Sequence, residues 1–419
     1  MFKSIRGTKD IFLPEIFRWQ KLERVVHQLM KNYNFTEIRT PIFEETGLFA
    51  RSIGSETDIV GKEMYTFTDK SNISLTLKPE MTAAVVRAFI QHNLGELRPV
   101  NKFYYISPMF RQERPQSGRL RQFHQVGAEI FGVKNFTADG ELIILALDLL
   151  TRLNVRNLEL QLNSVGCQNC RPNFIKKLVE YFEPLKDKLS EESQIRLTKN
   201  PLRILDSKDE RDVELKKNAP SILDNLCDEC KSHYEGLKDF LIQNKISFVE
   251  NQYLVRGLDY YTKTAFEIIS SDLGAQNAIC GGGRYDLLVE QLGGKPTFGV
   301  GWACGIERIL LASEKYDEPI EHKLDAFLVI QKPDYKIKAF QILSELRKNN
   351  ISCETDMLER SMKAQLREAN RSNAKFALIL GEEEFLNEKI LVKDLSSGKQ
   401  EAVPLNELCD YLRSKLIDI

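Results

Sequence analysis

Apolar positions recur at two spacings along this chain. Over residues 14–33, Phe17, Leu22, Val25, Val26 and Leu29 return at helical intervals with Trp19 beside the stripe. That period predicts an amphipathic helix. Further helices are expected over residues 83–91 and 138–153, and strands over 61–67, 158–163 and 264–269. A long antiparallel hairpin is expected where Tyr104, Ile106, Met109 and Phe110 lead into Pro115-Gln116-Ser117-Gly118, and Phe123, Val126, Ile130 and Phe131 lead out. Proline presets φ for such a turn and glycine tolerates positive φ. Residues 171–245 are richer in charge and in helical pattern, and read as a helical insertion between strands. After a polar linker at 316–324 containing Pro319, the pattern changes again. Strands at 326–330, 352–355, 376–380, 390–394 and 401–403 alternate with helices at 335–349, 361–373 and 406–417. This predicts a small α/β domain with a mixed sheet.

Composition narrows the picture. A chain of 419 residues, 42% hydrophobic, has length for several domains and apolar residues for sizeable cores. Its formal net charge is −1, so any nucleic-acid contact must use local basic patches. The first residues lack the apolar core of a signal peptide, and the run at 142–150 is too short to span a membrane and contains Asp148. A soluble cytoplasmic protein is expected. Eight cysteines in so long a chain do not suggest a disulfide scaffold.

Several clusters carry candidate chemistry. Arg111, Arg114, Arg119 and Arg121 flank the hairpin turn. Guanidinium forks match phosphate oxygens, although charge on a turn can be incidental. Glu80 and Thr82 stand where a strand gives way to a helix N-terminus, which favours anions; Thr82 could equally be a plain helix cap. Arg360, Lys363, Arg367 and Arg371 recur at helical spacing and are expected on one face, either solvated or touching RNA. Cys167/Cys170 and Cys227/Cys230 form two Cys-x-x-Cys pairs. They are candidate ligands of a structural zinc or else free thiols. With 56 residues between the pairs, the fold would have to assemble the site.

Phe110-Arg111-Gln112-Glu113-Arg114-Pro115, followed by Gly118-Arg119 and Gln122-Phe123-His124-Gln125, resembles motif 2 of the class II aminoacyl-tRNA synthetases in its histidyl form. Residues 35–46, with Pro41, resemble motif 1, and residues 298–308, ending at Arg308, resemble motif 3. Residues 254–262 and Cys280-Gly281-Gly282-Gly283-Arg284-Tyr285-Asp286 resemble the two histidyl motifs; Arg6-Gly7-Thr8-Lys9-Asp10 resembles the opening signature. The glycine run lets backbone approach a ligand closely, and no Gly-Lys-Ser/Thr follows it, so it is no Walker-type loop.

The resemblance implies an α+β catalytic domain over 1–320, with an antiparallel sheet of class II type and the helical insertion at about 171–245. It also implies an anticodon-binding α/β domain over 325–419. It implies activation of L-histidine by ATP, with Mg2+, then transfer of histidine to the 3' end of tRNA(His). By resemblance, Arg111 and Arg256 bracket the α-phosphate, Arg256 is the catalytic cation, and Arg308 holds the γ-phosphate. Glu80, Met81, Thr82, Gln125, Glu129, Tyr260, Tyr261 and Tyr285 form the histidine pocket. Glu80 would face the ammonium, while Glu129 and Tyr261 would read the imidazole nitrogens; Met81 stands where many members have glycine. Arg119 and Arg121 are candidates for the tRNA acceptor end. A homodimer is expected through motif 1. The competing reading is a catalytically silent, histidine-binding regulatory subunit, against which the presence of Arg111, Arg256, Arg308 and the C-terminal domain weighs. A stand-alone nucleic-acid-binding protein would have no need of the segment at 254–262.

Overall fold

The computed structural model describes residues 2–416 apart from 55, 56, 58, 117, 275, 276 and 319–322. Ser117 of the expected turn, Pro319 of the linker and residue 417 of the last helix lie outside the described residues. The chain divides into two compact units, Met1–Glu318 and Pro319–Ile419.

In the first unit, α1 (Glu15–Asn32) buries Trp19, Leu22, Val26, Leu29 and Met30. Trp19 thus lies within the stripe rather than beside it. The motif 1 segment forms only a two-residue strand, β1 (Thr36–Glu37), before β2 (Phe43–Glu45) and α2 (Thr46–Ile53). The strand expected at 61–67 is shorter than predicted. Ile59–Glu63 coil into a π-helical turn that buries Ile59 against Phe49 and Ile53, and only β3 (Tyr65–Thr68) extends. β4 (Ser74–Leu77) pairs antiparallel with both β2 and β3. Helices α3 (Thr82–Gln91) and α4 (Leu94–Leu97) follow.

The predicted hairpin is β5 (Asn101–Phe110) and β6 (Gln122–Phe131), in unbroken antiparallel register from Asn101↔Phe131 to Phe110↔Gln122. After α5 (Thr137–Arg152) and β7 (Leu158–Ser164) comes the helical insertion. It contains α6 (Arg171–Phe182), α7 (Glu191–Lys199), α8 (Glu210–Lys216) and α9 (Asp228–Gln243). Phe174, Leu178, Phe182, Leu197 and Ile204 give it a core of its own. The unit closes with β8 (Val249–Glu250), β9 (Thr262–Ser270), β10 (Ala278–Arg284), α10 (Leu288–Gln291), β11 (Gly299–Gly305) and α11 (Ile306–Ser313).

The large sheet runs β1-β5-β6-β11-β10-β9-β7-β8. The six inner strands are antiparallel, and the short edge strands β1 and β8 join in parallel. Alternate residues of a strand point to opposite faces, and here the two faces differ in size and polarity. On one, Val126, Ala128, Ile130, Val300, Trp302, Cys304, Phe266 and Ile268 join residues of α1, α5, α9 and α11 in the main core. On the other, the register aligns Glu129, Gly301, Gly283 and Ala265 in one row and Gly127, Ala303, Gly281 and Glu267 in the next. That face is a floor of very small residues carrying a few polar side chains.

The second unit comprises β12 (Ala326–Ile330), α12 (Lys336–Lys348), β13 (Cys353–Thr355), α13 (Met362–Arg371), β14 (Phe376–Leu380), α14 (Glu382–Leu386), β15 (Lys389–Asp394), β16 (Gln400–Pro404) and α15 (Leu408–Leu416). β12 pairs in parallel with β13 and β14, and β14, β15 and β16 continue antiparallel, giving the expected mixed sheet. Among the described residues, no helix is long and apolar enough to cross a membrane.

Candidate active site

Glu129 anchors one end of the glycine-floored face and is fully buried. A buried carboxylate must find donors or keep its proton. Thr82 Oγ1 donates to its Oε1 at 2.8 Å and the Tyr105 hydroxyl at 3.5 Å, while the Tyr285 hydroxyl makes a short bond to Oε2. Burial nevertheless pushes its pKa up to about 8, against the pull of the Tyr285 and Thr82 bonds. The neighbouring glycines are required by close approach. A Cβ on Gly301 would fall 1.6 Å from Glu129 Oε2, and one on Gly127 would fall 2.3 Å from the Tyr105 hydroxyl oxygen.

Both oxygens of Glu80 are engaged, accepting from the backbone N–H groups of Thr82 (2.8 Å) and Ala83 (2.9 Å). Glu80 therefore caps α3, the role the sequence offered to Thr82, whose hydroxyl goes to Glu129 instead. Burial raises the Glu80 pKa in spite of these bonds and of nearby Arg111. The Met81 side chain packs with Val85, Val86 and Phe89, its sulfur 3.4 Å from Thr40 Oγ1. The Tyr260 and Tyr261 rings lie 4.7 Å apart, and Tyr260 meets Tyr285 edge-on at 5.7 Å. Gln125, half-buried, shares the Glu129 face of β6.

Cations gather beyond this pocket. Arg111 Nε donates to the Pro79 carbonyl at 3.0 Å, and its guanidinium lies 5.2 Å from the Phe123 ring centre. Arg308 donates to the carbonyls of Gly118 (3.1 Å) and Ala278 (2.6 Å), joining α11 to the hairpin tip. Burial holds the Arg308 pKa below the usual arginine range, and Arg119 and Arg111 depress it further. Three guanidinium groups thus oppose one another's charge, an arrangement that a bound anion relieves. Arg119 also pairs with Glu113 at 3.3 Å. Arg121 is used structurally. It donates to the Glu113 carbonyl at 3.3 Å, and its stem packs on Gly7, where a Cβ would come within 2.8 Å. Behind the tip, Glu307 accepts from the His124 backbone N–H (3.0 Å) and contacts its ring nitrogen (2.9 Å), tying the motif 3 helix to the motif 2 strand.

Arg256 projects over the middle of the floor. Its Nη1 pairs with Glu267 at 3.0 Å, its guanidinium lies 5.7 Å from the Tyr261 ring centre, and its buried Nε has no partner among the described residues. A Cβ on Gly281 would lie 2.1 Å from Arg256 Nη2. The glycine run is therefore a central strand, not a loop, and Gly281 makes room for Arg256. The insertion supports the turn bearing Arg256, since Arg203 donates to the Gly257 carbonyl (2.6 Å) and Asn200 to Asp259 (3.1 Å). A cavity of about 660 Å³ separates this turn from the insertion, with Arg171, Arg203, Arg256 and Tyr261 in its lining.

Tyr105, Glu267, Arg171, Asn200 and Arg203 were not singled out in the sequence. Only Glu267 left a signal there, as a lone charge in the apolar run Ala265-Phe266-Glu267-Ile268-Ile269. The four cysteines of the paired motifs do come together, with all sulfurs within 4.8 Å of one another. Among the described residues they form the one group of three or more His, Cys, Asp or Glu side chains able to hold a metal. In the second unit, Lys363, Arg367 and Arg371 are exposed along α13. Arg360 does not join them. The helix begins at Met362, leaving Arg360 outside it and turned to Asp356 and to Glu368 at 3.2 Å.

An antiparallel sheet with a glycine floor, a basic hairpin tip and a motif 3 arginine reaching that tip defines the catalytic unit of a class II aminoacyl-tRNA synthetase. A family model described as histidyl-tRNA synthetase matches residues 7–309, and one described as anticodon binding domain matches residues 325–415. The histidine–tRNA ligase of Desulforamulus reducens is 47% identical over 412 residues, covering 98% of each chain. The crystal structure of the apo histidyl-tRNA synthetase of S. aureus is similar with a TM-score of 0.83 at 39% identity, over 98% of this chain and 100% of that one. A Bacillus halodurans protein titled ATP phosphoribosyltransferase regulatory subunit/histidyl-tRNA synthetase shares the fold alone, with a TM-score of 0.65 at 20% identity over 90% of this chain and 98% of that one. The chain belongs to the histidyl-tRNA synthetase family.

Proposed function

We propose that this chain joins L-histidine to its tRNA in two ATP-driven steps, on the floor between Glu129 and Arg308. The observation that carries this reading is the order of groups along the sheet. Glu129 sits in the row of Gly301 and Gly283, Arg256 over the adjacent row at Gly281, and Arg308 beyond it at Ala278 and Gly305. Rows two residues apart are separated by roughly 7 Å. An amino acid, its reacting α-phosphate and the remaining phosphates fit along that line in that order.

In the first step the histidine carboxylate attacks the α-phosphorus, forming a P–O bond as the bond to pyrophosphate breaks. The nucleophile is already ionised, so no general base is needed. The difficulty is bringing one anion to another, which preorganised cations relieve. Arg111 and Arg256 would bracket the α-phosphate and Arg308 the γ-phosphate. The buried Nε of Arg256, without a partner among the described residues, would be a donor for charge that builds up in the transition state. Magnesium would enter on the ATP phosphates. A neutral imidazole offers one donor and one acceptor; Glu129 takes the donor, and Tyr261 serves the other nitrogen. In the second step a terminal ribose hydroxyl attacks the carbonyl of the histidyl adenylate and AMP leaves. Arg119 would meet the acceptor end; the bond of Arg121 to the Glu113 carbonyl and its packing on Gly7 speak against the same role for it.

The unit at 325–419 would bind the anticodon arm, with Lys363, Arg367 and Arg371 as its phosphate contacts. A cytoplasmic homodimer completes the proposal. Phe43 and Phe67, exposed and 6.4 Å apart beside the motif 1 segment, form an apolar patch that a second copy would cover. The thiol cluster would take a structural zinc ion. A silent histidine-binding regulator would have no use for Arg111, Arg256 and Arg308 around one floor.

Histidine-dependent ATP–pyrophosphate exchange tests the reading. The wild type should exchange, and Arg256→Ala should lose about 10²–10³ of the rate while remaining folded. A folded wild type without exchange would overturn ligation; full activity in the variant would remove Arg256 from the chemistry.

A further inference from the structure

We infer that Cys167, Cys170, Cys227 and Cys230 bind one zinc ion whose task is to clasp the helical insertion to the wall of the histidine pocket. The sulfurs of Cys167 and Cys170 lie 3.8 Å apart, those of Cys167 and Cys227 3.7 Å, and those of Cys170 and Cys230 3.9 Å. Four thiolates at the ordinary zinc distance in a tetrahedron stand about 3.8 Å apart, whereas a disulfide would bring a pair to about 2 Å. The spacing is thus that of four ligands around one ion.

Backbone donors converge on the cluster. Cys170 precedes the first residue of α6 and Cys227 the first residue of α9, so the cluster lies at two helix N-termini, whose dipoles favour negative charge. Cys167 N–H donates to Cys170 Sγ (3.2 Å) and Asn169 N–H to Cys167 Sγ (3.4 Å). Gly166, at φ +67°, lets the chain turn in close, since a Cβ there would lie 2.8 Å from Cys170 Sγ. Zinc would displace the thiol protons as it binds.

What the clasp holds is specific. Arg171, next to Cys170, donates to the Val165 carbonyl (2.9 Å) and makes a short bond to the Tyr261 carbonyl. Lys263 donates its backbone N–H to the Gly166 carbonyl (2.7 Å) and its ammonium to Glu229 (3.1 Å), which lies between Cys227 and Cys230. Both sides of the cluster therefore grip residues 261–263, the segment that carries Tyr261 and borders Arg256.

The effect on histidine rests on the proposed pocket; zinc binding does not, so the two are measured separately. The purified full chain should carry about one zinc per chain, and cobalt(II) in its place should show thiolate charge-transfer and tetrahedral d–d bands. Protein that neither retains zinc nor gives those bands under reducing conditions would overturn the site. Cys230→Ser should lose the metal and lower Tm, while Cys409→Ser keeps both. Arg171→Ala should keep zinc yet raise the KM for histidine several-fold more than it changes kcat. An unchanged KM in zinc-loaded Arg171→Ala would leave the metal but overturn the clasp.

Discussion

Arg284, fully buried, and Arg256, partly buried, lie beside the same strand, and the protein treats them in opposite ways. Arg284 ends β10 on the core side with every donor engaged. Nε and Nη2 bind Asp139, Nη1 binds the Val133 carbonyl (2.8 Å) and Asp286 (3.1 Å), and Nη2 also reaches the Asn135 carbonyl (3.1 Å). Those bonds use the full donor set of a guanidinium. Among the described residues, Arg256 has one carboxylate partner and a buried Nε without a hydrogen-bond partner. A saturated buried cation is a staple, and one left short of partners is open to a ligand, as the role proposed for Arg256 requires, at some cost in stability.

Removing the staple should have the largest effect on stability. Arg284→Ala strands Asp139 in the core and should cost about 3–5 kcal/mol, read as a lower urea midpoint. Asp139 is buried, yet Arg284 and His233 hold its pKa down to about 2. A depressed carboxyl contributes stability above its unfolded value of 3.8 that is lost as pH falls to about 2. The variant should lose that acid limb; an unchanged midpoint would end the contrast. Arg256→Ala, by comparison, should lower the unfolding free energy by no more than about 1 kcal/mol.

A carboxyl with the opposite shift sharpens the comparison. Glu129, raised from 4.5 to about 8, stabilises the ligand-free fold fully below pH 4.5, and this contribution is lost as pH rises to about 8. Glu129→Gln should remove that decline from a plot of Tm against pH and should abolish histidine binding. Parallel profiles for the two proteins would mean that Glu129 ionises freely. The smallest effects belong to the second unit. Lys363→Ala and Arg367→Ala should each lower the salt dependence of tRNA binding by roughly one ion, whereas Arg360→Ala, its side chain committed to Asp356 and Glu368, should leave the slope unchanged.

Local signals made most of the framework legible. The hairpin showed in its turn residues and apolar flanks, α1 in its period, and the second unit in its alternation of strand and helix. Interactions between distant segments were not legible. Helical spacing put Arg360 on one face with Lys363, Arg367 and Arg371, because spacing does not show that it turns back to Asp356 and Glu368 before the helix begins. Tyr105 reads as an ordinary strand aromatic until Gly127 across the sheet admits its hydroxyl to Glu129. Nor does the sequence reveal that both oxygens of Glu80 accept from the first N–H groups of its own helix. Asn200 and Arg203 support the Arg256 turn from more than fifty residues away, a link that no short-range pattern carries.

The glycine floor also limits how this protein can change. At positions 281, 283 and 301 every replacement adds atoms, and the space for them is already filled by Arg256, by the Thr264 carbonyl with Tyr261, and by Glu129. A pocket walled by large side chains can be reshaped in small steps, by trimming one and enlarging another. Here the side chains rest on missing volume, so there is nothing to trim. Altering the substrate would require moving the overlying residue and its glycine together, which makes this floor a poor starting point for stepwise evolution and a natural target for paired substitutions.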